Sequence, residues 1–129
     1  MKSLAIALFY RFPMTYPEFE KSIAHRLVDT VEYVPGSVVI KSILTKQTGT
    51  VTISSFDTGE GMLTKSSPFD NLIQVLDGVA EIIIDEKSNT VETGQVIIIP
   101  AHVKNRIKAN SRFKMLSTII KSGYEDISL

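Results

Sequence analysis

Lys65, Ser67, Asn71, His102 and Asn105 are polar residues of types that can hydrogen-bond or ion-pair with a small molecule in this 129-residue chain. Lys65 and Ser67 are two positions apart, so their side chains share one face of an extended strand. Asn71, Ile73 and Val75 share a face a little further on, and Leu72, Gln74 and Leu76 take the other. A lysine in a pocket clamps a carboxylate or phosphate; in dry surroundings it becomes a base or a Schiff-base nucleophile. On a rim it stays solvated, with its stem laid along apolar surface. Ser67 has no base placed to activate it. Asn71 and Asn105 can hydrogen-bond a polar ligand or each other, and buried amides need partners, which predicts an ordered water or a small ligand beside them. His102, three residues before Asn105, falls in a turn that can reach the same place.

The same residues argue against a metal. A tight divalent site wants several imidazoles or carboxylates. The chain has no cysteine and only two histidines, His25 and His102. A protonated lysine repels a cation, and serine and asparagine are weak neutral ligands. Asp70 adjoins Asn71, but a one-residue offset turns its side chain to the other face of a strand. No catalytic metal and no cofactor are expected.

Around these residues the composition is that of one globular domain: 43% apolar, 22% charged, with 14 basic and 14 acidic residues. That balance offers no net field for nucleic acid. Lys104, Arg106 and Lys108 alternate along one strand and read as its solvated face. The run Leu4-Ala-Ile-Ala-Leu-Phe9 is too short to span a bilayer and is followed by no small-residue cleavage site, so it reads as an edge or partner-docked strand rather than a signal peptide. No membrane association is expected, and the absence of cysteine fits a cytoplasmic setting.

Thr15, Pro17 and Glu18 resemble a helix start with a capping box, and Phe19, Ile23 and Leu27 fall on one helical face, predicting a short helix ending near His25. From Val31 onward the period is two. Strands are expected over 38–44, 50–56, 72–76, 80–84, 96–99, 105–109 and 113–120, with a hairpin turn at 86–89. Gly78 is expected in a tight turn between two of them. Phe56, Met62 and Met115 are candidate core. Many short strands with punctuating Gly, Pro, Asn and Asp predict an antiparallel sandwich or barrel.

In the stretch GEGMLTKSSPFDNLIQVLDG the spacing resembles the first motif of the cupin family. Gly59 and Gly78 frame it, Lys65 and Ser67 hold the two histidine positions, and Asn71 holds the glutamate position. GQVIIIPAHVKNRIKA is similar to the second motif: Gly94 and Pro100 match, His102 stands at its second glycine, Asn105 at its histidine and Ala109 at its asparagine. The fifteen residues between Gly78 and Gly94 are typical of small bacterial cupins of the cupin 2 type. The resemblance implies an all-β cupin jelly-roll barrel with a short N-terminal helix: an extension over 1–37, the barrel over 38–122 and a tail over 123–129. It implies that Lys65, Ser67, Asn71, His102 and Asn105 converge on one pocket, at the place where family members hold a metal. The expected role is then binding of a small molecule, an anion among the candidates, without a metal. The alternatives are a cupin-type isomerase, epimerase, lyase or dioxygenase, or a non-catalytic structural cupin. The histidine base and acidic partner of the family's sugar-nucleotide epimerases are not visible. A homodimer is expected, with residues 5–9 added to a neighbour's sheet edge and Leu72 and Leu76 facing a second subunit.

Overall fold

The computed structural model describes residues 18–121, which form eight antiparallel strands: β1 Val38–Lys46, β2 Gly49–Phe56, β3 Gly61–Lys65, β4 Asp70–Ile84, β5 Lys87–Glu92, β6 Val96–Ile99, β7 Asn105–Lys108 and β8 Phe113–Ile120. The fifteen-residue β4 is the spine of the fold. Its first half pairs with β8 and β6 in one sheet, ordered β1-β2-β8-β4-β6; its second half pairs with β7 and β5 in the other, ordered β3-β7-β4-β5. The two sheets curl against each other as an all-β jelly-roll barrel.

β4 changes sheets at Gly78, which has φ +78°. The expected turn there is instead a bend within one unbroken strand, so the predicted strands 72–76 and 80–84 are a single element. A Cβ on Gly78 would lie 2.3 Å from the Arg112 carbonyl oxygen, so β8 approaches too closely for any side chain. β5 replaces the expected turn at 86–89; the chain reverses one residue earlier, at Asp85 and Glu86, both with positive φ. Its sequence KSNTVE buries only Val91, which left too little alternation to read as a strand.

Period-two alternation divides the buried residues into two clusters. Phe56, Ile73, Val75, Ala80, Ile82, Ile107, Phe113 and Met115 fill the space between the sheets, with Met62 packed against them. Val31, Val39 and Ile53 form a second cluster on the outer face of the first sheet, with Phe19, Leu27, Val34, Ile43 and Leu76 packed on it. Residues 19–34 thus act as a strap across that face.

The strap corrects the helix expectation. Residues 18–26 are turn and extended chain, Ser22 has φ +67°, and the helical turn present is a 3-10 turn over Leu27–Asp29. Two bonds to β1 hold the segment stretched: Phe19 N–H donates to the Ile43 carbonyl at 3.1 Å, and the Glu18 carboxylate accepts Thr45 N–H at 2.6 Å. Phe19 and Leu27 reach the cluster as the helical face predicted, while Ile23 is exposed. The expected strand at 4–9, the cap residues Thr15 and Pro17 and the tail over 123–129 lie outside the described residues.

Candidate functional site

Three loops meet at one end of the barrel. The first, 66–69, leads from β3 into β4; the second, 100–104, leads from β6 into β7; the third is the Asp85–Glu86 reversal. Backbone bonds stitch them together. His102 N–H donates to the Ser67 carbonyl at 2.6 Å, and Asp85 N–H to the Lys104 carbonyl at 2.8 Å. Asp70 Oδ1 accepts Ala101 N–H at 2.8 Å. His102 has φ +67°. It therefore adopts at the motif's second glycine the left-handed backbone that a glycine takes there without strain, at a cost of about 1–2 kcal/mol.

Asn105 lies inside this end, 5% exposed and paired across the strands with Lys65 and with Ile84. Its Nδ2 donates to the Lys65 carbonyl at 3.2 Å and to the Val103 carbonyl at 3.1 Å. Turning the amide over would set oxygen against two carbonyl oxygens, so chemistry fixes its orientation. Oδ1 then faces away with no hydrogen-bond partner among the described residues. Leaving a buried acceptor unpaired costs about 1–3 kcal/mol.

Asn71, half-buried, is the second residue of β4 and is held differently: its Oδ1 accepts the Ser117 hydroxyl at 2.7 Å. Ser117 is a buried, inward-facing residue of β8 in register with Ile73. Lys65 is exposed, and its ammonium lies 4.0 Å from the sulfur of Met62, a residue packed on the main core. Its exposed position suits ion pairing with an anion.

The expected common face of Lys65 and Ser67 is not formed, because β3 ends at Lys65. Ser67 belongs to the loop, where its hydroxyl oxygen accepts Phe69 N–H at 3.1 Å. Direct bonds join Lys65 to Asn105 and Ser67 to His102, whereas the Asn71 side chain is tied to Ser117. His25 sits in the strap, its ring bonded to the Glu20 carbonyl at 2.9 Å and packed 5.0 Å from Phe19. Sequence reasoning missed Ser117 and the loop-locking role of Asp70. A polar residue in the inward alternation after Phe113 and Met115 was the available signal for Ser117; nothing local marked Asp70.

The opposite end of the barrel is apolar inside. Phe56 and Phe113, both fully buried, stack with ring centroids 4.6 Å apart. Outside that end, the Tyr33 hydroxyl donates to Asp77 at 2.6 Å, with Arg112 4.7 Å and Lys114 5.0 Å from the ring centre. Burial, and then the bond to Asp77, push the phenol far above its ordinary range. An open groove of about 500 Å³ runs along β5 and β6, lined by residues 88–91 and 95–97, and includes none of the five predicted residues.

No family model matches the sequence, and no curated protein does. Solved structures do match. A conserved protein of unknown function from Streptococcus pyogenes superposes with TM-score 0.77 at 29% identity, covering 84% of this chain and 96% of that one. A cupin 2 conserved barrel domain protein from Leptotrichia buccalis gives 0.72 at 33% identity, covering 74% of this chain and 46% of that one. A cupin superfamily protein from Desulfitobacterium hafniense gives 0.76 at 23% identity, covering 82% and 97%. The chain belongs to the cupin superfamily.

As a cupin it departs from the family's metal-binding motifs at each of the four ligand positions. Lys65 is a cation, the Ser67 and Asn71 oxygens already accept hydrogen bonds, and Asn105 Oδ1 is a single buried neutral oxygen. That donor set does not fit a divalent metal. Among the described residues no three His, Cys, Asp or Glu cluster to replace it, and no helix is long and apolar enough to cross a membrane.

Proposed function

We propose that this cupin binds a small molecule at the mouth of its barrel, on Lys65, Ser67, Asn71, His102 and Asn105, without a catalytic metal. One observation carries the reading: Asn105 Oδ1 is buried, fixed in direction and without a partner among the described residues, at the position where the motif has a metal-binding histidine. A buried polar atom of this kind calls for a water or a ligand. The solvated Lys65 ammonium at the rim supports an acidic group on the ligand.

The reading extends to a cytoplasmic homodimer. Its support is the outer face of the first sheet, where Val96, Ile98 and Ile120 are 49%, 55% and 68% exposed and β6 pairs, among the described residues, with β4 alone. Leu72 is half-buried beside Ile98, whereas Leu76 is already covered by the strap. Sedimentation at monomer mass would overturn the dimer.

The binding reading is tested on protein purified without chelator. Its metal content is expected well below one ion per chain. The Asn105 side-chain amide resonance is expected to move when a metabolite library is added, before and after chelator treatment. Near-stoichiometric metal, or ligand binding lost on chelation, would sink the proposal.

A further inference from the structure

We propose that the molecule taken up at the mouth is a polyhydroxylated carboxylate, presenting a hydroxyl to Asn105 and its acid to Lys65. This deepens the pocket reading above and rests on it. Asn105 sets the requirement. Its nitrogen is engaged by the Lys65 and Val103 carbonyls, so what faces the interior is an acceptor alone. A carboxylate or phosphate oxygen placed there would meet lone pair with lone pair. The group beside Asn105 must donate.

Asn71 and Ser117 narrow the choice. The Ser117 proton goes to Asn71 Oδ1, which leaves the Ser117 oxygen as an acceptor, and the Asn71 nitrogen as a donor without a hydrogen bond among the described residues. Interior acceptors and a donor at the same end of the barrel match groups that both give and receive hydrogen bonds. Hydroxyls do so, and several along one short chain would serve both sheets. The acidic end is assigned to Lys65 because that residue is paired across the strands with Asn105. Lys65 holds its ammonium exposed at the rim, over Met62, and the Asp70 carboxylate accepts Ala101 N–H.

Three matched six-carbon probes separate the two ends: gluconate carries hydroxyls and acid, sorbitol hydroxyls only, and hexanoate acid only. Each is titrated into the isotope-labelled full chain while the Asn105 side-chain amide is followed by nuclear magnetic resonance. Gluconate is expected to move that resonance to saturation, sorbitol to do so more weakly, and hexanoate to bind about tenfold or more weakly than gluconate because it leaves the buried acceptor unpaired. Lys65→Met is expected to bring gluconate down to the level of sorbitol. Equal binding of hexanoate and gluconate overturns the donor requirement while leaving the pocket reading intact. No movement of the Asn105 resonance with any of the three probes overturns the polyhydroxylated carboxylate, and no movement with the metabolite library as well overturns the pocket reading too.

Discussion

The two ends of this barrel are built from the same strands and differ in what they do with their inward positions. At one end β2 and β8 place Phe56 against Phe113, with Ile73, Val75 and Met115 continuing the apolar filling. At the other, β4, β7 and β8 place Asn71, Asn105 and Ser117 inward. The closed end is held by packing that needs nothing further, whereas the mouth keeps a buried oxygen unpaired among the described residues and a histidine in a left-handed backbone. Stability is concentrated at one end and unmet bonding capacity at the other. Side chains that do not maximise stability gather where a fold meets its ligand.

Substitutions at each end test this division. The largest effect is expected from Phe113→Ala, which removes one ring of the buried stack and should cost about 3–5 kcal/mol in denaturant unfolding. A loss under about 1 kcal/mol would mean that the closed end is not the anchor. Gly78→Ala comes next. With positive φ and a Cβ driven onto the Arg112 carbonyl, it should cost about 3 kcal/mol; a neutral result would show that β8 can retreat from the bend.

At the mouth the sign reverses. His102→Gly removes the left-handed strain and should stabilise the protein by about 1 kcal/mol, read as a raised thermal midpoint. A destabilisation would show that the imidazole holds the loops together. The smallest effect is on pH. The backbone N–H groups of Gly36 and then Thr58 hold the exposed Asp57 carboxyl below its ordinary range. A depressed carboxylate contributes stability above the unfolded-state value, and that contribution is lost as pH falls through the folded-state value. Asp57→Asn should therefore lower the thermal midpoint slightly at neutral pH and match the parent protein in acid. A gap that persists in strong acid would rule out the carboxylate as its source.

The sequence was most legible where one face of a strand is buried. Alternation marked β2, a run of β-rich residues marked β1, and the glycine and proline spacing of the two motifs pointed to the barrel. It was least legible where backbone geometry overrides side-chain pattern. Phe19, Ile23 and Leu27 have helical spacing, yet two hydrogen bonds to β1 keep that segment stretched. β5 was hidden because a single buried valine leaves no alternation to see. At the mouth, residue types suggested polar recognition. The direction of the Asn105 amide was beyond the sequence, because it depends on two carbonyls, one of them contributed by β3.

Because β4 runs unbroken through Gly78 and serves both sheets, neither sheet can be peeled away without tearing the other. Opening events large enough to free the inner amides must release the spine as a whole. The protons of β7 in one sheet and β8 in the other should then exchange with solvent at one common free energy, so that the whole barrel melts as a single cooperative unit.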